Sequence, residues 1–437
     1  MPKKSFLALS AAMAMVFALL TPAASFANPE VLAPCSVKSL ASGSGIKSLH
    51  AQVVRADTGQ VLFERRPTTP ARTASVMKVI TSLVALDALG PDYRVTTRVY
   101  VDPTDNSKIY LVGAGDVTLS RMPGNITSYY SGGPKLDTLT RQIRAWAKSS
   151  SATISSVVVD SSLYGEKGDW HPTWDKRGIS DGYQGPVSAL QIDAGRLTSS
   201  RNKNVFIGQR TATPVTQAGV LFLSSLKNAG LAKGAVSSTG KLPQGAIEIA
   251  SVQSQPISRW IENTMRVSDN ALSEALARLS SIALGFDGSM ESLTPAYAKV
   301  LEARGISTKG MKIIDGSGLS RLNLVSPAVV NQVLTQAYKD PVKNASMLAG
   351  MPVSGKAGSL RYRFVSGEQR PALFNIEAKT GWIRTGYSLA GKIKAADGTE
   401  LIFTSYNLWT SVSFENRAAL DRLVFGFYKC GARLISN

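Results

Sequence analysis

Strand patterns sit at both ends of this chain with helical patterns between them, an order that one α/β domain meets by drawing its sheet from both ends. Residues 48–66 read as a hairpin, with apolar and β-branched stretches on either side of Asp57-Thr58-Gly59. A long helix follows at once: Thr73 can cap it, Val76, Val79, Ile80, Leu83, Val84 and Leu86 repeat at helical spacing, and Gly90-Pro91 stops it. Helical patterns return over residues 257–284, 297–304 and 327–338, and two strands over 388–395 and 400–406 turn at Asp397-Gly398 before a last helix over 414–428. Residues 96–250 differ in character. Short β-like runs (98–101, 109–112, 156–159) alternate there with Gly, Pro, Ser and Asn clusters, which predicts a β-rich insertion of two small lobes, the inner one over about 113–186.

Residues 1–27 run from Lys3 and Lys4 through an apolar stretch to small residues ending at Ala27, the order of a secretory signal. Cleavage there predicts an exported chain. An uncleaved anchor is the alternative, although the apolar stretch of about 15 residues falls short of the roughly 20 that a spanning helix needs. No later stretch is that long without charges, so no integral membrane segment is expected after signal removal. The remaining 437 − 27 = 410 residues exceed what one core usually serves, and we divide them into 28–95 and 251–437 for the main domain and 96–250 for the insertion. Removing two lysines lowers the formal charge from +19 to +17, enough to attract polyanions. With no nucleic-acid motif present, cell-wall polymer or anionic lipid fits better than nucleic acid, unless the charge serves solubility alone. Cys35 and Cys430 can pair after export or remain two thiols. With His50 and His171 as the only histidines, neither a zinc site nor a Ser-His-Asp triad is expected, and no cofactor is.

An S-x-x-K tetrad occurs at Ser44, Ser75, Ser200, Ser224 and Ser238, so the tetrad alone decides nothing. Only Ser75 opens a long periodic helix, whose unpaired N–H groups favour developing negative charge. Lys78, at i+3, lies on the same face, and a desolvated lysine there can accept the serine proton. Ser268-Asp269-Asn270 starts the apolar helix through Leu272 and Leu276, and Lys379-Thr380-Gly381 precedes a strand-like segment where a glycine admits close backbone approach. Together, in this order, S-x-x-K, S-D-N and K-T-G are the signature of penicillin-binding proteins and class A β-lactamases. The 268 − 75 = 193 residues between the first two motifs leave room for a domain that a class A β-lactamase lacks. A Glu-x-x-x-Asn element is also missing, since Glu274, Glu291, Glu302, Glu368 and Glu377 are followed four residues on by Arg278, Pro295, Ile306, Ala372 and Gly381. A β-lactamase or esterase of this fold, and a non-catalytic wall-binding or penicillin-sensing protein, are the competing readings.

The chain resembles the D-alanyl-D-alanine carboxypeptidase/endopeptidase family typified by penicillin-binding protein 4, over nearly all of residues 28–437. Besides the three motifs, the likeness rests on LVGAGDVTL (111–119), VVVDSSLY (157–164), PVSAL (186–190), DGSGLSR (315–321) and GKAGSLRYR (355–363). Val117, Ala357 and Trp382 depart from the family pattern. The resemblance implies a penicillin-binding transpeptidase-like α/β domain and a serine peptidase acting on peptidoglycan stem peptides and acylated by β-lactam antibiotics. It implies Ser75 as nucleophile and Lys78 as base, with Ser268 and Lys379 relaying the proton to the leaving amine. Asn270 would hold the substrate amide, Thr380 with Lys379 the terminal carboxylate, and the N–H groups of Ser75 and Trp382, beside Gly381, an oxyanion. By position Asp169 matches the acid that relatives turn on the ammonium of an upstream diaminopimelate, and Arg321 can offer its fork to the carboxylate of that residue.

Overall fold

The patterns at the two ends of the chain meet in one sheet. The computed structural model describes residues 33–165, 168–198 and 208–435; the signal expected over 1–27 lies outside them. A two-residue strand β1 (Cys35–Ser36) and a single turn α1 (Lys38–Ala41) lead into the hairpin β2 (Ser48–Arg55) and β3 (Val61–Arg65). A 3₁₀ turn over Ala74–Val76 then runs into α2 (Met77–Leu89), which ends at Gly90 with φ 81°. The insertion supplies β4 (Thr96–Val101), β5 (Lys108–Val112), α3 (Leu136–Ser150), β6 (Ser156–Asp160), the short α4 (Arg177–Asp181), α5 (Pro214–Asn228), β7 (Val236–Thr239) and β8 (Ile247–Gln253). Four helices follow, α6 (Ile257–Val267), α7 (Asn270–Ala283), α8 (Leu293–Ala303) and α9 (Pro327–Lys339), then the short α10 (Ala345–Ala349). The chain closes with β9 (Ile376–Ile383), β10 (Gly386–Lys394), β11 (Glu400–Leu408), α11 (Phe414–Cys430) and β12 (Leu434–Ile435).

The main sheet has the order β3-β2-β11-β10-β9 and is antiparallel throughout. One face carries Val53, Leu389 and Phe403 against α11, and the other presents Ala390, Ile402 and Tyr406 to α2 and α9. The domain is therefore three layers, with β9 as an edge strand beside the helices. α2 is buried on every side from Met77 to Leu86, including Lys78, Thr81 and Ser82, and so it is the axis of the helical layer and not a surface helix. The expected cap at Thr73 does not form, because that residue already has helical backbone angles and its buried hydroxyl finds no partner. Instead the Thr73 carbonyl accepts from Ser388 Oγ at 2.7 Å, tying the helix start to β10.

The insertion forms a second five-stranded sheet, β7-β6-β5-β4-β8, in which β5, β6 and β7 are parallel. Parallel neighbours need crossover connections, and α3 and α5 provide them. These two helices of 15 residues each are absent from the β-rich expectation. Their signals are nonetheless present: Leu136, Leu139, Ile143 and Ala147 line one face of α3, and Pro214 at the first position of α5 precedes buried Ala218, Phe222 and Leu226. Among the described residues no helix is long and apolar enough to cross a membrane.

Cys35 and Cys430 are joined as a disulfide, with Cα atoms 5.4 Å apart, next to the parallel pairing of β1 with β12. A link across 395 residues restrains most of the unfolded chain. Replacing both cysteines by serine should lower stability by about 2–5 kcal/mol, measured by urea unfolding. Alkylation without reductant should leave both sulfurs unmodified.

Candidate active site

Four pieces of chain converge at the start of α2. Ser75 sits in the 3₁₀ turn, behind Ala74, whose φ of 45° is left-handed for a residue with a side chain. Neighbours hold that conformation, since a Cβ on Gly318 would fall 1.9 Å from the Ala74 carbonyl oxygen. From the first turn of α2, fully buried Lys78 donates to Ser75 Oγ at 2.9 Å, to Asn270 Oδ1 at 2.7 Å and to the Ser317 carbonyl at 2.7 Å. Three oxygens thus take its three N–H bonds, and none belongs to a carboxylate. Burial pushes the Lys78 ammonium down to about 8, against the opposing charges of Glu274, Asp315 and Asp269.

The S-D-N segment is the joint between α6 and α7. Ser268 takes the left-handed conformation (φ 62°) that ends α6, and Asp269 caps α7 by accepting from Leu272 N at 3.0 Å. That geometry turns Ser268 Oγ toward Lys379, whose Nζ donates to it at 2.9 Å and to the Thr380 carbonyl at 2.8 Å. Lys379 is buried as deeply as Lys78. Burial, and after it the Lys78 charge, holds its ammonium well below the usual lysine range. Asn270 is used from both ends, because its Oδ1 accepts a hydrogen bond from Lys78 while its Nδ2 donates to the Tyr183 carbonyl of the insertion at 2.9 Å.

On the edge strand β9, Thr380 donates to Ser359 Oγ at 2.6 Å. Gly381 lies so close to the serine that a Cβ there would be 2.8 Å from the Ser75 nitrogen and 2.1 Å from Ser388 Oγ. Trp382, paired with Tyr387 across the β9–β10 hairpin, is 59% exposed.

The turn over residues 315–321 is organised by Asp315. One oxygen accepts from Gly318 N at 2.7 Å and Asn323 Nδ2 at 2.9 Å, the other from Ser320 N at 2.7 Å and Trp174 Nε1 at 2.8 Å. Trp174 and Thr173, which meets Ser320 Oγ at 2.6 Å, bring the 168–174 segment of the insertion onto this turn. Arg321 at its end is exposed, and half-buried Arg72 is close enough that the charge of Arg321 adds to burial in lowering its basicity. Asp169 faces Arg278 at 3.6 Å, and burial pushes its carboxyl up while Arg278 opposes.

The structure therefore brings Ser75, Lys78, Ser268, Asn270, Lys379 and Gly381 into one cluster, while Asp169 is engaged by an arginine of α7. Sequence reasoning missed Tyr183 and Ser317, which act through main-chain carbonyls that no side-chain pattern reveals. A hydroxyl bonded to an amine of lowered basicity, with a second hydroxyl–amine pair beside it, suits nucleophilic acyl transfer with proton shuttling.

The chain belongs to the D-Ala-D-Ala carboxypeptidase 3 (S13) family of peptidases, which matches residues 38–205 and 199–424. It is 30% identical over 383 residues to carboxypeptidase DacB of Mycolicibacterium smegmatis, covering 87% of this chain and 80% of that one. Its fold is similar to that of penicillin-binding protein 4 (dacB) from Haemophilus influenzae, with TM-score 0.73, 19% identity and coverage of 89% of this chain and 98% of the other. A second structure of that protein, complexed with a β-lactam, gives TM-score 0.68 and 18% identity over 88% of this chain and 98% of that one.

Because Gly381 admits no side chain without moving β9 or the serine, Gly381→Ala should keep the fold and lose on the order of 100-fold in acyl-transfer rate, the usual result of misplacing a reacting group by about 1 Å. The acylation rate with a fluorescent penicillin, beside an unchanged far-ultraviolet spectrum, checks this.

Proposed function

We propose that this carboxypeptidase is an exported enzyme that removes the terminal D-alanine of peptidoglycan stem peptides through an acyl-enzyme on Ser75, and that β-lactams acylate the same oxygen. The single observation that carries this is the 2.9 Å bond from fully buried Lys78 to Ser75 Oγ. Ser75 Oγ attacks the penultimate D-alanine carbonyl as its proton passes to neutral Lys78. The tetrahedral carbon then expels the leaving nitrogen, which takes a proton through Ser268, with Lys379 behind it. Water hydrolyses the ester and restores the serine. Main-chain N–H groups of Ser75 and Trp382 hold the oxyanion in this reading, Asn270 the substrate amide, and Thr380 with Lys379 the terminal carboxylate. Export rests on the signal pattern of residues 1–27, and β-lactam binding is supported by the fold shared with a protein solved in complex with one. The divisions at 28–95, 96–250 and 251–437 belong to the same proposal.

Benzylpenicillin should add its mass once, and peptide mapping should find it on Ser75. Ser75→Ala should take no label, and Lys78→Ala should slow acylation by about 10²–10⁴-fold. Lys78 is a base only when neutral, so with its pKa lowered to about 8 the acylation rate should climb as pH rises through that value. An adduct on another serine, or a flat profile from pH 6 to 9, would refute the assignment.

Upstream specificity in this reading falls to Arg321, exposed at the end of the 315–321 turn, and to Asp169, which stands 3.6 Å from Arg278. Both substitutions, Arg321→Ala and Asp169→Ala, should reduce kcat/KM on diaminopimelate-bearing peptides while leaving penicillin acylation intact. They should differ in one respect. Asp169→Ala removes the carboxylate 3.6 Å from the buried guanidinium of Arg278 and should cost about 1–3 kcal/mol of stability as well, whereas Arg321→Ala should not. Equal losses toward peptide and penicillin would mean that both residues are scaffold.

A further inference from the structure

Glu274 is completely buried one turn into α7, and no step above uses it. Its two oxygens accept from the main-chain nitrogens of Gly316 at 3.2 Å and Ser317 at 2.9 Å. The carbonyls of the same two residues point the other way, to α2: Gly316 O accepts from Thr81 Oγ1 at 2.7 Å and Ser317 O from Lys78 Nζ at 2.7 Å. Two consecutive residues of the 315–321 turn are thus stretched between a carboxylate on one helix and an ammonium on another. Their N–H groups face the negative end and their C=O groups the positive one. The turn has no slack: a Cβ on Gly316 would meet Ala277 Cβ at 2.5 Å and Ser273 O at 2.6 Å, and Tyr297 OH braces Thr81 at 2.8 Å.

We propose that Glu274 is a positioning residue for acylation, which acts through the Ser317 peptide to hold Lys78 against Ser75 and to set the pH at which Lys78 becomes a base. This rests on the acyl-enzyme reading given above. Hydrogen bonds aligned in series polarise one another, so charge on Glu274 is felt at Lys78 through the intervening peptide as well as directly. Burial, with the charge of Asp315 next, pushes the Glu274 carboxyl up to about 8, while the two N–H groups and Arg278 pull it back. Lys78 and Glu274 therefore exchange protons in the same pH range. The other charges around them are Asp269 and Arg278 on α7, Asp315 in the turn and Lys379 on β9. Of these, Asp269 is committed to its cap, Asp315 to Gly318, Ser320, Asn323 and Trp174, and Arg278 to the insertion carbonyls of Gly168 and Val187. Asp315 touches Ser317 only at its hydroxyl, at 3.3 Å, whereas Glu274 holds the peptide nitrogen of the residue whose carbonyl accepts from Lys78.

The sign of the effect separates this role from a structural one. A negative Glu274 raises the basicity of Lys78. Glu274→Gln keeps the shape and removes the charge, so Lys78 should lose its proton at lower pH. The acid limb of benzylpenicillin acylation, measured on the full mature chain, should then move down by less than about one pH unit, because Glu274 itself takes up a proton near pH 8. Glu274→Asp keeps the charge but reaches the turn poorly, and should lower the rate while leaving the limb where the wild type has it. A limb that stays put in Glu274→Gln, with the rate merely reduced at every pH, would overturn the proposal, as would a limb that moves as far in Glu274→Asp. Should Glu274→Gln not fold, Glu274→Met, neutral and of similar length, takes its place in the same comparison with Glu274→Asp. A wild-type chain that takes no penicillin label would instead defeat the acyl-enzyme reading, and this inference with it.

Discussion

The architecture turns on an amine kept dry. Removing an ammonium from water costs several kcal/mol even after relaxation, and a directly paired carboxylate would offset that while fixing the proton on nitrogen. Here Lys78 meets three neutral oxygens instead, one each from a hydroxyl, an amide and a peptide carbonyl. Its basicity falls toward the working range of a base. The requirement reaches outward from there. Each acceptor must itself be held, which is why Ser75, Asn270 and Ser317 come from three separate stretches of chain that the fold clamps together. The complete burial of α2 is part of the same condition, since an axis helix is the place in such a domain where a lysine in the first turn can be dry.

α7 does most of the clamping. Asn270, Glu274 and Arg278 follow one another at intervals of four and share one face, and each reaches a different structure. Asn270 holds Lys78 and Tyr183 O, Glu274 holds the 315–321 turn, and Arg278 holds the carbonyls of Gly168 and Val187. The insertion is thereby docked to the helix that carries the S-D-N segment. Trp174, bonded to Asp315, adds a second attachment. A sheet with its own core is thus part of the site's support and not an appendage to it.

Much of this was legible in the residues. Both hairpins and the course of α2 follow from patterns whose cause is local, glycine at turns and apolar residues at helical spacing, while the three motifs were joined by their shared signature and the helical pattern over 257–284 hid the break at Ser268. What the sequence concealed has two physical origins. Some of the site is built of main chain, and the carbonyls of Tyr183 and Ser317 leave no trace in side-chain identity. The rest is competition between signals: α3 and α5 carry helical periodicity but are flanked by the Gly, Ser and Pro clusters that suggested short strands, and Thr73 has the chemistry of a cap in a backbone already turned helical. Asp169 illustrates the same limit, because its position in the sequence cannot reveal that Arg278 stands opposite.

Main-chain attachment also leaves this arrangement tolerant of side-chain change. The fold superimposes on that of the Haemophilus influenzae protein with TM-score 0.73 at 19% identity. Where the insertion meets α7, it offers the peptide carbonyls of residues 168, 183 and 187 to Arg278 and Asn270. A carbonyl is supplied by any residue, so the insertion can change side chains freely provided its backbone path is kept. The constraint falls on the few positions of α7 that must reach those carbonyls and on glycines such as 316, 318 and 381, where two backbones come too close for a Cβ. The geometry of one buried lysine therefore rests on a small number of residues far apart in the chain.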